Sequence, residues 1–247
     1  MIAITRDVSP SIAHAELTHL DRVPISYDRA VQQHEQYRDV LASLGCEVVR
    51  IPGDAAHPDC VFIEDTAIVL DDVAVITRPG AESRRGEVDA VANVLAAYRP
   101  LVRIEAPATI DGGDVLVLDD RIYVGHSSRT NDEAIAQLRA LTKREVIQVD
   151  VHGALHLKTA ITRVSRDTLL VNRAWVDVAP FAAWKLIDVH PDEPFAANAV
   201  LVGDVVIHAS AFVKTRERLG MFDVRAVDAD ELAKAEGGVT CCSLLVR

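Results

Sequence analysis

A thiol and an imidazole in this 247-residue chain are the side chains best suited to nucleophilic chemistry. Cys241 follows the Gly237-Gly238 turn at the start of the last predicted strand, where backbone N–H groups would lie near its sulfur. His156 lies between two leucines, which makes its pKa tunable, and it is the candidate general acid and base. A thiolate next to an imidazole supports covalent catalysis. Taken alone, either residue is more often structural, and the neighbouring Cys242 is expected in the core.

Three carboxylates follow one another closely at Asp59, Glu64 and Asp65. They could form a solvated turn. They could also bind a cation, because carboxylates accept the N–H groups of a planar guanidinium in pairs.

Three further polar residues extend this candidate site. Asp111, in Asp111-Gly112-Gly113-Asp114, could accept the second ring N–H of His156 and fix its tautomer. This glycine pair is not a phosphate loop, since no Gly-Lys-Ser/Thr follows it. Arg84 and Arg129 lie in predicted loops before helices, where each is either a clamp for a substrate carboxylate or a surface residue.

The elements that must position these residues begin with β-hairpins. Apolar stretches joined by short polar turns predict four of them. Their strands are 66–70 with 73–77, 115–118 with 122–124, 160–164 with 168–171, and 199–202 with 205–208. A fifth strand, 243–246, has no sequence neighbour to pair with, and the opening strand 2–5 is its expected partner.

Helical periodicity separates the hairpins. It covers residues 29–44 and 85–98. Two capping boxes predict further helices, one beginning at Thr130-x-x-Glu133 and one running from Asp228-x-x-Glu231 to Gly237.

A regular spacing relates the residues before the first strand of each unit, which are Asp65, Asp114, His156, Asn198 and Cys241. The intervals are 49, 42, 42 and 43 residues. A period of this size indicates a propeller or array, because each unit needs neighbours to bury its faces. Five units closed into a ring would bring these polar residues to a common axis. No linker interrupts the pattern, so we expect one domain over residues 1–247.

Composition narrows the function further. The formal net charge of -11 argues against a nucleic-acid ligand and favours a cationic small molecule. No apolar run reaches the roughly 18 residues that a membrane span needs, and no signal peptide is evident. Four cysteines without disulfide or metal spacing predict free thiols and a cytoplasmic protein.

Ordered motifs along almost the whole chain resemble the dimethylarginine dimethylaminohydrolase family of the guanidine-modifying, or pentein, superfamily. They are Pro58 to Asp65, Ile76-Thr77-Arg78-Pro79-Gly80 to Arg85, Asp111-Gly112-Gly113-Asp114-Val115, Arg129-Thr130-Asn131, Leu155-His156-Leu157-Lys158, Ala196-Ala197-Asn198 and Thr240-Cys241-Cys242-Ser243.

The resemblance implies an α/β fold, a five-bladed pseudo-symmetric propeller, and hydrolysis of N-methylated arginine to citrulline and an amine. It implies Cys241 as nucleophile, His156 as proton donor and Asp111 as the residue that orients His156. Substrate contacts would be Leu17 from a lid, Asp59, Glu64 and Asp65 at the guanidinium, and Arg84 and Arg129 at the amino-acid end. No cofactor is implied. Zinc would enter only as an inhibitor at Cys241, since Cys241 and His156 are too few for a structural site.

Alternatives stay open at this stage. Arginine deimination on the same fold is the nearest, although the chain lacks an inserted helical domain and has Glu64 where deiminases carry arginine. A non-catalytic amino-acid-binding protein is the other. A homodimer is compatible with the sequence.

Overall fold

The computed structural model describes residues 1–247 and contains fifteen β-strands and six α-helices. The strands are β1 (Ile2–Arg6), β2 (Glu47–Ile51), β3 (Ala67–Val69), β4 (Ala74–Ile76), β5 (Leu101–Arg103), β6 (Val115–Leu118), β7 (Arg121–His126), β8 (Glu145–Asp150), β9 (Ile161–Arg163), β10 (Thr168–Val171), β11 (Lys185–Asp188), β12 (Ala199–Val202), β13 (Val205–Ala209), β14 (Asp223–Val227) and β15 (Leu244–Val246). The helices are α1 (Tyr27–Ser43), α2 (Val88–Leu95), α3 (Asp132–Leu141), α4 (Leu157–Ala160), α5 (Val213–Arg218) and α6 (Asp230–Ala233).

The strands form five three-stranded sheets that share the same topology. In each sheet an antiparallel pair is followed by a third, parallel strand, as where β3 pairs with β4 and β4 with β5. The first sheet joins the two ends of the chain, because β1 pairs antiparallel with β15 and parallel with β2. The four predicted hairpins and the predicted pairing of the opening and closing strands are confirmed.

The first strand of every sheet lines one central channel, a cavity of about 220 Å³. These strands are β3, β6, β9, β12 and β15. Five repeated sheets around one channel form a five-bladed α/β propeller, as predicted. Since the first strands surround the channel, the residues just before them gather at one of its ends.

Apolar packing between neighbouring blades holds the ring together. Five clusters of buried side chains fill the structure, the largest with 19 buried residues around α1, β1 and the segment that carries Cys242. Helix α1 buries Ala30, Tyr37 and Leu41 there, and it begins where the Ser26 side chain accepts a hydrogen bond from the Arg29 N–H. None of the six helices is long and apolar enough to cross a bilayer.

Both predicted capping boxes are wrong. Helix α3 is capped by Asn131, whose side chain accepts from the Ala134 N–H, because the Thr130 hydroxyl instead donates to Asp114. Helix α6 begins at Asp230 and ends at Ala233, short of Gly237. The side chain of Asp228 accepts from Ser210 rather than from the helix. In both cases the side chain expected to cap the helix instead forms a hydrogen bond with a residue distant in sequence.

Two predicted boundaries also shift. Helix α2 begins at Val88, after a 3₁₀ segment at Glu82–Glu87. Cys241 lies in a 3₁₀ turn, Thr240–Cys242, and strand β15 begins only at Leu244. The nucleophile candidate therefore sits on a tight turn rather than on a strand.

Candidate active site

One small cavity at an end of the central channel brings the candidate chemistry together. Cys241, His156 and Asp65 all line it, and its volume is about 20 Å³. All three side chains are buried. Three of the five equivalent positions before the first strands therefore converge, as the ring geometry predicted.

The other two equivalent positions, Asp114 and Asn198, do not line this cavity. The buried Asp114 carboxylate accepts from Ser127 and Thr130 and from the Leu157 N–H, which fixes the start of the segment after His156. Asn198 accepts from the Thr240 N–H at 3.0 Å and donates to the Thr240 hydroxyl at 2.8 Å. The expectation that all five residues share one pocket is wrong, because Asp114 and Asn198 instead brace the segments that carry His156 and Cys241.

Glycine is required where these loops meet. A Cβ on Gly113 would lie 2.6 Å from Nδ1 of His156 and 2.7 Å from Oδ1 of Asp65. The Gly113 N–H donates to that Asp65 oxygen at 3.0 Å. A Cβ on Gly238 would lie 2.5 Å from the Asn198 side chain. These glycines let the backbone approach catalytic and bracing groups closely.

Cys241 is a protonated thiol in this environment. Its Sγ lies 3.4 Å from the donating Gly238 N–H. Burial, together with the negative charges of Glu64 and Asp65, raises the pKa of Cys241 to about 12. The neighbouring Cys242 points its sulfur toward the Gly238 carbonyl at 3.4 Å and packs in the apolar cluster. Neither cysteine forms a disulfide.

His156 lies between two carboxylates. Its Nε2 is 3.0 Å from Oδ2 of Asp111, and its Nδ1 is 3.7 Å from Oδ1 of Asp65. Burial alone would lower the pKa of His156, but the surrounding carboxylates, that of Asp65 foremost, raise it to about 9. The second oxygen of Asp111 accepts from the Gly80 N–H at 2.8 Å, which fixes the carboxylate. His156 is therefore an imidazolium at neutral pH.

Arg84 is held inside the protein. It donates to Asp65 at 2.6 Å, to Glu87 at 2.9 and 3.1 Å, and to the Phe62 carbonyl at 3.0 Å. Burial alone would raise the pKa of Asp65, but the charges of His156 and Arg84 lower it to about 2. The expectation that Arg84 is a free clamp for a substrate carboxylate does not match this arrangement. Arg84 lines the cavity and keeps Asp65 ionised and oriented.

Asp59 lines the same cavity and lies in the segment between β2 and β3 that also carries Asp65. Both of its oxygens accept from the Glu16 N–H, at 3.1 and 3.2 Å. Burial raises the pKa of Asp59 to about 6, against the opposing charge of Arg84. A cation arriving here would favour the ionised form of Asp59.

Glu64 does not line the cavity that contains Cys241. It lines the central channel with Lys158, whose Nζ donates to Oε1 at 2.6 Å. The other oxygen, Oε2, is buried without a hydrogen-bond partner, and burial raises the pKa of Glu64 despite Lys158. The expected direct contact of Glu64 with a guanidinium is therefore not supported by its position. Glu64 acts on the site through its charge, as the raised pKa of Cys241 indicates.

A covering segment, residues 16–20, closes the cavity from the N-terminal side. Glu236 accepts backbone N–H bonds from Thr18 at 2.9 Å, from Leu20 at 2.7 Å and from His19. Three successive N–H groups aimed at one carboxylate form an anion-binding concavity. Arg129 donates to the Thr18 hydroxyl at 3.0 Å, and its Nη1 lies 3.9 Å from Asp111.

Leu17 lies within this segment and is partly buried. Its neighbour Glu16, not Leu17 itself, lines the cavity, and the Glu16 side chain accepts from Ser83 at 2.6 Å. A volume of about 20 Å³ holds roughly one water molecule. An amino-acid substrate therefore enters only if the covering segment moves.

Several cavity residues were missed by the sequence analysis, notably Glu16, Phe62 and Glu236. Glu236 carried one usable signal, since it directly precedes the Gly237-Gly238 turn beside Cys241. Glu16 and Phe62 carried none, because their contacts depend on chain segments far away in sequence.

The side chains best placed to share a metal ion are Asp65, Asp111 and His156, whose potential ligand atoms lie within 4.8 Å of one another. Two of these already serve other partners, since Asp65 pairs with Arg84 and Asp111 accepts from Gly80. Cys241 is not in this group. The donor set therefore fits a zinc ion at Cys241 poorly.

Known proteins match this chain along most of its length. A family model described as N,N dimethylarginine dimethylhydrolase, eukaryotic, matches residues 18–178. The N(G),N(G)-dimethylarginine dimethylaminohydrolase of Streptomyces coelicolor is 37% identical over 251 residues, 99% of this chain and 96% of that protein. The Pseudomonas aeruginosa protein of the same name is 34% identical over 225 residues, 88% of this chain and 89% of that protein.

Solved structures agree with the sequence matches. A cysteine-to-serine variant of the P. aeruginosa protein complexed with citrulline has a TM-score of 0.93 at 32% identity, covering 98% of this chain and 97% of that chain. A histidine-to-glycine variant of a dimethylarginine dimethylaminohydrolase, as an adduct with S-methyl-L-thiocitrulline, has a TM-score of 0.92 at 33% identity, covering 98% of each chain.

A more distant structure shares the fold alone. The N-terminal domain of a cyanobacterial arginine dihydrolase has a TM-score of 0.85 at 21% identity, and it covers 99% of this chain and 97% of that domain.

Proposed function

The chain belongs to the dimethylarginine dimethylaminohydrolase family, and from that premise we propose how its own residues hydrolyse N-methylated arginine. The products are citrulline and dimethylamine or methylamine. The observation that carries the proposal is the single cavity shared by Cys241, His156 and Asp65. The shared cavity supports our assignment of Cys241 as the nucleophile, His156 as the proton donor and Asp65 as a carboxylate that binds the substrate cation.

Recognition of the substrate uses charges of both signs. We assign the guanidinium to the carboxylates of Asp59 and Asp65, which both line the cavity. We assign the α-carboxylate of the substrate to Arg129, whose side chain donates a hydrogen bond to Thr18 of the covering segment. Arg84 supports recognition indirectly, since its guanidinium is committed to Asp65 and Glu87.

Activation of Cys241 follows from the charges that surround its thiol. Burial and nearby carboxylates keep the thiol protonated, with a pKa of about 12. A guanidinium bound beside Asp59 and Asp65 offsets that negative charge, so binding favours loss of the thiol proton to solvent before the covering segment closes. The thiolate thus forms when the correct cation is present.

The chemical steps use His156 twice. The Cys241 thiolate attacks the guanidinium carbon, and the imidazolium of His156 protonates the departing amine. The result is a covalent S-alkylthiouronium bond to Cys241. Neutral His156 then takes a proton from water that attacks the same carbon, citrulline forms, and the thiolate of Cys241 leaves. These groups supply every proton and electron pair that the reaction needs, so we propose no cofactor.

We also propose a cytoplasmic location, supported by four cysteines that all remain free thiols.

The decisive experiment measures which amine is released. We expect dimethylamine from asymmetric dimethylarginine, with little ammonia from unmodified arginine. Faster ammonia release from arginine would instead assign the chain to arginine deimination. Mass spectrometry of the enzyme quenched during turnover should find a covalent adduct on Cys241, whereas a protein that only binds amino acids would form none.

A further inference from the structure

A second cavity opens at the end of the central channel remote from Cys241. Its volume is about 360 Å³, within the range of about 300–1,000 Å³ that ligand pockets occupy. It shares Val69, Val117, Arg163, Leu245 and Arg247 with the central channel. These residues belong to or follow the first strands, whereas the catalytic residues precede them, so the two sites lie at opposite ends.

Four arginines line this cavity, which we call the arginine mouth: Arg99, Arg144, Arg163 and Arg247. The only carboxylate side chains among its ten lining residues are Asp71 and Asp119. Cationic side chains therefore outnumber anionic ones here, in a chain whose formal net charge is -11. The excess of positive charge at the arginine mouth attracts anions. Without a bound anion, the arginines repel one another.

Main-chain oxygen atoms supply most of the hydrogen-bond acceptors of these guanidinium groups. Arg99 donates to the carbonyls of Leu70 and Tyr98, at 3.2 and 2.8 Å, and to a main-chain oxygen of the last residue, Arg247. A carbonyl group orients a guanidinium without neutralising its charge. The carbonyls of Leu70 and Tyr98 thus fix the position of the Arg99 guanidinium without neutralising its charge.

Arg163 is held in the same way. It donates to the carbonyls of Ser165 and Arg166, and at 3.0 Å to the Asp119 carboxylate. The side chain of Arg163 is only 18% exposed, whereas that of Asp119 is 64% exposed. Because the carboxylate is solvated, it is a weak partner for the more buried guanidinium.

Arg144 repeats this arrangement from a different blade. It donates to the Asp119 carbonyl at 2.8 Å and to the Asp71 carboxylate. Its side chain is 22% exposed, against 79% for Asp71. The loops of three blades and the residue after β15 therefore converge on one positively charged cavity.

We propose that the arginine mouth is a binding site for a multivalent oxyanion of the phosphate class. Rigid planar guanidinium groups recognise phosphate oxygens in pairs. Such an anion would connect separate blades, since Arg99, Arg144 and Arg163 belong to the blades with the sheets β3-β4-β5, β6-β7-β8 and β9-β10-β11, respectively. Binding should therefore stabilise the folded ring.

Calorimetric titration of the full chain with sodium pyrophosphate tests this site, at constant ionic strength set by sodium chloride. We expect saturable binding of one pyrophosphate per chain and a rise in Tm of several degrees at saturation. Arg144→Gln should weaken binding by at least about tenfold. Arg247→Gln should do the same, and because Arg247 is exposed this variant should fold normally. Arg173→Gln, which removes an exposed arginine paired with Asp188, is the matched control and should bind as the unmodified chain does.

Three results would overturn the proposal. The first is an absence of saturable binding at millimolar pyrophosphate. The second is equal affinity in the Arg144, Arg247 and Arg173 variants. The third is displacement of pyrophosphate by citrulline, which would place the anion at Arg129 in the active site. Persistence of binding in saturating citrulline supports the arginine mouth.

Discussion

In the active site the Nε2 of His156 lies 3.0 Å from Oδ2 of Asp111, and both side chains are buried. The carboxylate therefore acts on the imidazole with little solvent screening, and it is one of the causes that raise the pKa of His156 to about 9. The Gly80 N–H holds the second oxygen of Asp111 in place. The orientation and the charge of the His156 ring therefore both depend on its contact with Asp111.

Asp111→Asn should move the pH dependence of catalysis. The amide keeps an oxygen near the Gly80 N–H but loses the negative charge, so the pKa of His156 should fall. We expect the alkaline limb of the kcat/KM profile to shift down by about one pH unit, and kcat to fall by about tenfold or more. The exposed Asp132→Asn is the control. A profile that superposes on that of the unmodified enzyme would show that Asp111 is only structural.

Cys241→Ser should lower turnover by at least about a thousandfold, because a serine hydroxyl in this site lacks a base strong enough to ionise it. Cys242→Ser is the matched control, since that sulfur faces the Gly238 carbonyl and does not line the cavity. We expect it to retain activity within about tenfold while losing about 1–2 kcal/mol of stability, because it buries a hydroxyl in the apolar cluster. Amine release and urea unfolding measure the two effects. Substantial turnover by Cys241→Ser would contradict the assignment.

Glu236→Gln should loosen the covering segment. Oε1 of Glu236 accepts from three successive backbone N–H groups of residues 18–20. Glutamine keeps that oxygen but loses the negative charge, and its amide nitrogen replaces Oε2, which also accepts from Thr18. We expect KM to rise by about tenfold with a smaller change in kcat. Amide hydrogen exchange at residues 16–20 should become faster.

Glu217→Gln on the exposed face of α5 controls for the loss of one negative charge. If exchange at residues 16–20 were unchanged in Glu236→Gln, this carboxylate would not hold the segment.

His34 should make the protein less stable in acid. Both ring nitrogens are buried without a hydrogen-bond partner, and burial, with the charge of Arg38, lowers the pKa of His34 from 6.5 to about 4. The unfolded chain binds this proton more tightly than the folded one. The free energy of unfolding should therefore fall as the pH decreases from about 6.5 to 4, by a total of about 3 kcal/mol from this residue.

His34→Leu should remove that part of the pH dependence. Urea unfolding at pH 7.5 and pH 4.5 compares the two proteins, with the exposed His126→Leu as control. An identical loss of stability in all three would assign the acid sensitivity to other groups.

The repeats were readable from the sequence because their signals are local. Alternating apolar runs and short polar turns define hairpins such as β6 and β7 within about ten residues, and side-chain periodicity does not depend on distant partners. The spacing of 49, 42, 42 and 43 residues then implied a ring, since identical units need neighbours on both sides. The candidate nucleophile and proton donor followed from their equivalent places in that repeat.

The hydrogen-bond and ion-pair partners of the charged residues could not be predicted from the sequence. Glu236 contacts Thr18 across 218 residues of sequence, and Lys158 pairs with Glu64 across 94. Nothing local distinguishes a carboxylate that binds substrate from one that pairs inside the protein. The same holds for Arg84, whose network with Asp65 and Glu87 exists only once the loops are packed.

The sequence by itself determined the five-fold repeat and the set of candidate side chains, because both depend only on local composition and spacing. Only the tertiary structure decided which groups meet. In the folded chain Cys241, His156 and Asp65 line one cavity, whereas Glu64 lines the central channel. Asp114 and Asn198 hold neighbouring segments in place by hydrogen bonds. The physical reason is that Coulomb and hydrogen-bond energies depend on distances of a few ångströms between atoms. Those distances are fixed by the closure of the ring and not by position along the chain.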